Sequence, residues 1–474
     1  VDEIAMVLGT RLSGPEEGTA VITALTADSR SVIPGALFVA LRGEHVDGHD
    51  YVAAAAAAGA AASLTRHPVA GARCLVVADP LVALGRLSRY LVDKSGSEGL
   101  QVVGITGSVG KTSTKDLLAQ VLEQAAPTVA AAGNLNNELG VPMTVGRIGP
   151  ETQFLVVEMG ARGIGHIAYL CDIAPPRVGV VLNVGQAHVG EFGGQAAIAQ
   201  AKGELVEALP ADGWAVLNID DPLVWAMRRR TPAQVLPWST IQSFDHGVWT
   251  SGLASDRYGR YSFTLHERRA GGAEHHAPVR LQLTGRHQVA NAVAAAAAAL
   301  ALGLELDQIA SALGHAAQRS PWRMELHDRL DGVTVINDSY NANPDSMRAA
   351  LTTLAELART GRSTWAVLGD MLELGDLAAD AHAGIGRLAA ELGVDHLVAV
   401  GEHGPQITSA AVAAGFPAAQ AVAVADKADA VALVTAGLRP GDVVLVKASR
   451  GLALDTVADD ILTSVDLGRD EDPG

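Results

Sequence analysis

The stretch Val102–Thr114, VVGITGSVGKTST, constrains the fold of this chain more than any other. Its β-branched start, Val102-Val103-Gly104-Ile105-Thr106, predicts a buried strand that stops at a glycine-punctuated loop ending in Gly110-Lys111-Thr112. A helix pattern follows from about Thr114 to Glu123. Strand, loop and helix in this order are what a phosphate cradle needs. Gly107 and Gly110 let backbone N–H groups converge on anionic oxygens, Lys111 reaches toward β/γ-phosphates, and the Thr112 hydroxyl meets Mg²⁺. The strict spacing G-x-x-x-x-G-K-[ST] is not met: Ile105 stands where the first glycine belongs, and Gly104 is one place too far. The alternative is an ordinary glycine turn before a helix, and the agreement of all three elements argues against it. A nucleoside triphosphate site is the working premise.

With 474 residues, 49% apolar and 18% charged, the chain is globular and long enough for about two to four domains. A formal net charge of −17 argues against nucleic acid as a partner and repels anionic substrates at long range, so local groups must hold any phosphate. Cys74 and Cys171 are too few for a disulfide framework or a cysteine zinc site and read as small core hydrophobes in a reducing compartment. The opening Val1-Asp2-Glu3 is acidic, unlike a signal peptide, and the longest apolar run, Val289–Leu302, is mostly alanine and carries Asn291, so no membrane span is expected. These readings place the chain in the cytoplasm.

Before the phosphate loop, a strand over Leu37–Leu41 is bounded by Pro-Gly and Arg-Gly turns, with Ser29, Arg30, Arg42, Asp47 and His49 in the connections at its ends. On pattern alone these are either solvated loop residues or a binding edge. The polar, glycine-rich run Lys94–Gly99 sets the first domain boundary at 97. From 98 to 320 the pattern is a parallel α/β unit with a β-rich insert between about Trp238 and Thr284. Strands over Phe154–Val157 and Val178–Leu182 bring Glu158, and a loop with His188, to the same carboxyl edge as the phosphate loop, where ligands of open α/β sheets sit. Glu158, His188 and Thr112 there suit a hard cation, against the plainer reading of hydrogen-bonded structural residues. Lys202, in a helix over Ala196–Leu209, defaults to a surface lysine, and Asn291 is either a satisfied cap or a reader of a base. From 321 the chain alternates strands (Val333–Ile336, Trp365–Leu368, His396–Val400, Val443–Val446) with helices at 345–359, 379–392, 426–437 and 453–464. That is a second, Rossmann-like α/β domain with Asp338, Asp370 and Lys447 at strand ends. It has no G-x-G-x-x-G after a strand, which disfavours a dinucleotide. The tail Asp466–Gly474 is acidic and expected to fray.

Taken together, the motifs resemble the Mur ligases of bacterial peptidoglycan synthesis. The residues that carry the resemblance are Asp28-Ser29-Arg30 with PGALFVALRG and DGHDYV, GITGSVGKTST, GNLNNELGVP, Glu158-Met159-Gly160-Ala161, NVGQAHVGEFG, AKGE, NDSYNANPDSM, GDMLELG and KASRG, spread over essentially the whole chain. The resemblance implies three domains: 1–97 holding the UDP part of the substrate, 98–320 binding ATP, and 321–474 receiving an amine. It implies ATP at Gly107, Ser108, Val109, Gly110, Lys111, Thr112 and Ser113, with Asn291 toward adenine, Asp338 toward ribose and Arg323 toward the terminal phosphate. Mg²⁺ is expected at Thr112, Glu158 and His188, joined by Lys202 if that lysine is carbamylated; Lys111, Glu158, His188 and Lys202 form the catalytic set. Ser29, Arg30, Asp47 and His49 match the uridine-diphosphate side, with Asn136, Asn341, Asn343 and Arg450 as further substrate contacts. Within the family, GNLNNELGVP, NANPDSM and GDMLELG point to a branch that joins D-alanyl-D-alanine to a UDP-N-acetylmuramoyl-tripeptide; a monomer is expected. The sister ligase that adds a single amino acid carries a D-N-P-R loop that is absent here, a folylpolyglutamate synthase usually lacks a leading domain, and a regulator that hydrolyses ATP slowly has no need of the full catalytic set.

Overall fold

Valine and isoleucine fill the strand Gln101–Thr106, whose residues from Val102 onward are buried, because it lies inside a sheet covered on both faces. Parallel strands Phe154–Glu158 and Val178–Val181 flank it. The computed structural model describes residues 1–15, 20–43, 45–185, 194–358 and 361–464. His188 and the acidic tail lie outside the described residues.

The described strands form three sheets. The first, of five strands, runs Leu12–Ser13, Cys74–Val76, Ala62–Thr65, Ala36–Val39, Ala24–Thr26, parallel except for its first pair. The second has nine strands, in the order Glu274–Thr284, Arg260–Arg268, Gly247–Ser255, Gln234–Ser239, Trp214–Asn218, Val178–Val181, Gln101–Thr106, Phe154–Glu158, Thr128–Ala130. Its last three antiparallel strands by sequence form the insert, but Trp238 belongs to Gln234–Ser239, which pairs in parallel with Trp214–Asn218. The third sheet has the order Glu325–Asp328, Thr334–Asn337, Val443–Lys447, Thr364–Gly369, His396–Val400, Ala421–Val424, parallel but for the first pair. Of these, Glu325–Asp328 and Ala421–Val424, with the helix Gly404–Ala413, escape the sequence reading.

Two further differences have local causes. The run Lys94–Gly96, expected in a linker, is the last turn of the helix Pro80–Gly96, whose apolar stripe packs on the first sheet. The helix after the phosphate loop begins at Lys111, three residues earlier than expected, because Gly110 adopts φ 87° and supplies the N-cap where no side chain could. That helix, Lys111–Glu123, packs against the alanine-rich His287–Ala301.

Candidate active site

A polar cavity of about 430 Å³ opens between the carboxyl edge of the second sheet and the third sheet. From the sequence-derived set it is lined by Ser108, Val109, Gly110, Lys111, Thr112, Ser113, Asn136, Glu158, Lys202, Asn291, Arg323, Asp338, Asn341 and Asn343. Gly107 does not line it; its carbonyl accepts a 2.7 Å bond from Lys111 Nζ. Ser29, Arg30, Asp47 and His49 stay on the first sheet, away from this cavity. There Asp28 Oδ1 accepts from Arg30 Nε at 2.9 Å, and the paired guanidinium holds the Asp28 carboxyl down to about 2. His49 Nδ1 lies 2.6 Å from Asp47 Oδ1, and its Nε2 accepts from the Arg66 N–H. Arg450 is also apart from the cavity, lying 4.0 Å over the Trp322 ring and paired with Asp455 at 2.7 Å.

The phosphate loop is braced by a residue that no motif flagged. Asn183, just past the strand Val178–Val181, accepts from Ser108 N–H at 3.0 Å and Val109 N–H at 2.9 Å, and donates to the Val109 carbonyl at 3.1 Å. The amides of Ser108 and Val109 are thus committed to the loop's shape. Those of Gly110, Lys111, Thr112 and Ser113 have no partner among the described residues and open the helix, where backbone donors and the helix dipole favour an anion. Asn291 is not a cap: it sits buried in the first turns of His287–Ala301, donating to Gln288 Oε1 at 2.9 Å and accepting from Thr114 Oγ1 at 3.3 Å.

Glu158 and Lys202, which line the same cavity, are buried. Burial pushes the Lys111 ammonium below its ordinary range, Glu158 pulls it back up, and Arg323 pushes it further down. Lys202 is no surface lysine: it is 6% exposed, with no hydrogen-bond or ion-pair partner among the described residues. Burial, then the Lys111 charge, hold it well below the usual lysine range. Glu158 is fully buried; its Oε2 accepts a long 3.5 Å contact from Asn136 Nδ2, and its Oε1 has no partner among the described residues. Across the cavity, Asp338 Oδ1 accepts from Met324 N–H at 3.0 Å and Oδ2 from Lys447 Nζ at 2.6 Å, leaving lone pairs for a hydroxyl donor. The Arg323 guanidinium stacks 4.2 Å over Tyr340, with Nε buried and without a hydrogen-bond partner among the described residues. Asn343 is engaged with Ser346 at the start of helix Pro344–Ala358.

A glycine-rich loop opening a helix on one α/β sheet, facing a second α/β sheet across a cavity lined with amides, cations and a buried carboxylate, is the arrangement of a nucleotide-binding enzyme. Residues 21–84 match the family model for the Mur ligase family, catalytic domain, 105–299 the Mur ligase middle domain, and 322–450 the Mur ligase, glutamate ligase domain. The UDP-N-acetylmuramoyl-tripeptide--D-alanyl-D-alanine ligase of Mycobacterium tuberculosis is 45% identical, covering 93% of this chain and 92% of that protein. A crystal structure of MurF from Acinetobacter baumannii aligns at TM-score 0.84 and 34% identity over 97% of this chain and 98% of that one. MurF ligase from Thermotoga maritima in complex with ADP aligns at 0.78 and 27%, over 94% and 98%. The chain belongs to the Mur ligase family.

Proposed function

We propose that this chain is the ligase that joins D-alanyl-D-alanine to the terminal carboxylate of UDP-N-acetylmuramoyl-tripeptide, with ATP turned over to ADP and phosphate, in peptidoglycan precursor synthesis. The observation that carries the reading is the shared cavity, in which unpartnered helix-start amides, Lys111 and Glu158 on one wall face Arg323, Asp338 and Asn341 on the other. ATP lies with its phosphates on the amides of Gly110–Ser113, its base toward Asn291 and its ribose toward Asp338.

The reaction follows in two steps. The tripeptide carboxylate attacks the γ-phosphorus, the bond to the bridging oxygen breaks, and ADP leaves. Lys111 leaves the Gly107 carbonyl for the β/γ-oxygens and, with Arg323, offsets their charge in a site where low dielectric strengthens each contact. The neutral amine of the dipeptide then attacks the acyl carbon, the bond to phosphate breaks, and the amide forms as the amine sheds its proton. The C-terminal wall of the cavity excludes water that would otherwise hydrolyse the acyl phosphate.

Mg²⁺ fits the residues present. A hard cation of this kind keeps several waters and binds through one or two carboxylates plus substrate phosphates. The unpartnered Glu158 Oε1 and the Thr112 hydroxyl would hold it, and when bound it neutralises phosphate charge. Lys202, whose charged form burial disfavours, is suited to carbamylation, which would make it an oxygen-donor anion beside Lys111. His188 remains a proposed fourth ligand. Ser29, Arg30, Asp47 and His49 bind the uridine diphosphate on the first sheet, and Arg450 approaches substrate only if it leaves Trp322. Among the described residues no helix is long and apolar enough to cross a membrane. We place the enzyme in the cytoplasm, as a monomer.

The test is phosphate release from ATP and Mg²⁺ with the UDP-tripeptide. Release that requires D-alanyl-D-alanine, with a product heavier by that dipeptide less water, is expected. Release that answers to a single amino acid would move the chain to a sister ligase.

A further inference from the structure

Arg323 is held between two strained neighbours. Trp322 and Met324 have φ 57° and 55°, two of the four non-glycine residues in the described chain with positive φ. Bulky side chains persist in that region only where their surroundings over-determine it. Here the surroundings are identifiable. The Trp322 carbonyl accepts from Tyr340 N–H at 3.2 Å, and the Trp322 N–H donates to Glu325 Oε2 at 2.9 Å. On the other side, Met324 N–H donates to Asp338 Oδ1 at 3.0 Å.

Asp338 is itself held. It follows the strand Thr334–Asn337, which pairs in parallel with Val443–Lys447, so that Asp338 and Lys447 meet at adjacent strand ends. Lys447 is 1% exposed; its Nζ donates to Asp338 Oδ2 at 2.6 Å and to the Asn341 carbonyl at 2.9 Å. A third, longer contact of 3.5 Å reaches the Asp338 carbonyl, and a buried ammonium with fixed acceptors orients a carboxylate far more tightly than solvent would.

We propose that Lys447 is a positioning residue: through Asp338 it holds the Trp322–Met324 turn in its strained form and so aims Arg323 at the nucleotide's terminal phosphate. The inference rests on the ATP reading above. Without the ammonium, Asp338 is a nearly buried carboxylate lacking its counter-charge; it turns toward water, Met324 N–H loses its acceptor, and the turn relaxes to negative φ with Arg323 swung away.

The experiment is a double-mutant cycle of Lys447→Met with Arg323→Ala in the full chain, read as kcat, KM for ATP, KM for the UDP-tripeptide, and melting temperature. Lys447→Met alone should lower kcat by about tenfold or more while KM for the UDP-tripeptide moves less than about twofold. In the Arg323→Ala background the same change should lower kcat by no more than about twofold, because its target is gone. Losses that multiply in the double variant would overturn the proposal and leave Lys447 a structural residue. Unchanged turnover in Arg323→Ala alone would instead overturn the placing of Arg323 on the phosphate. If Lys447→Met does not fold, Lys447→Gln keeps a donor toward the Asn341 carbonyl, drops the charge, and completes the same cycle with the same criteria.

Discussion

Replacing Gly110 by alanine probes the phosphate loop where geometry leaves it least room. Gly110 has φ 87°, and a Cβ built there falls 2.5 Å from Asn291 Oδ1, so side chain or backbone must shift by nearly an ångström. The left-handed backbone costs alanine about 1–2 kcal/mol. Displacing Asn291 loosens its bonds to Gln288 and Thr114, each worth about 0.5–1.5 kcal/mol. Together the loss is about 2–5 kcal/mol, which for a unit of roughly 150–250 residues lowers the melting temperature by about 4–20 °C. Calorimetry of Gly110→Ala beside Gly96→Ala is the assay. Gly96 closes a helix and has nothing within 4 Å of its would-be Cβ, so alanine there should be neutral or stabilising by up to about 1 kcal/mol. At sub-melting temperatures Gly110→Ala should also bind ADP more weakly. Equal melting temperatures for the two variants would refute the claim that Asn291 is packed against the loop.

Asn183→Ala should weaken ADP binding by about tenfold, as expected for loss of a brace with three hydrogen bonds worth roughly 1.4 kcal/mol to the bound state; titration calorimetry with unchanged affinity would remove Asn183 from the site. Lys111→Ala should abolish ligation while the first sheet stays folded, and turnover at the wild-type rate would sink the phosphate-loop assignment. Lys202→Met should lose ligation yet melt no lower than wild type. Because burial depresses the Lys202 pKa in the folded state, the unfolded chain binds more protons between that depressed value and about 10.4, and wild-type stability should rise with pH across that window. In bicarbonate-free buffer the methionine variant should rise less steeply over pH 7–10; parallel slopes would show that Lys202 is not the buried titrating group.

What was legible in the sequence was what local pattern encodes. The β-branched runs at Gln101–Thr106, Phe154–Glu158, His396–Val400 and Val443–Lys447 are found as strands because buried parallel strands are continuous apolar segments bounded by turns. Glu158 was found because its place at a strand end fixes its edge of the sheet. Lys202 was raised above a surface lysine only by resemblance, since its helix contact with the sheet, not its neighbours in sequence, buries it. Asn183 was not legible: its role exists only because Val178–Val181 lies directly beside Gln101–Thr106, which brings it within reach of residues about 75 positions away. The Asp338–Lys447 pair spans 109 positions for the same reason, and nothing local marks Trp322 or Met324 for positive φ. The short edge strands Glu325–Asp328 and Ala421–Val424 are only partly buried and so lack the apolar density that identifies the central ones.

The alanine-rich helix has a consequence for how this enzyme can change over evolutionary time. From Ala292 to Ala299 every side chain but Val293 is a buried methyl group, and the helix lies directly against Lys111–Glu123, the helix that follows the phosphate loop. The separation of the two axes is therefore set by methyl groups, and Asn291 reaches Thr114 because that separation is short. Any larger residue along the seam would shift Asn291 from further along the same helix without itself lining the cavity. Drift in this stretch is thus confined to small side chains, and the inner faces of the insert strands, where Tyr261, Phe263 and Leu265 join the same core, share that constraint.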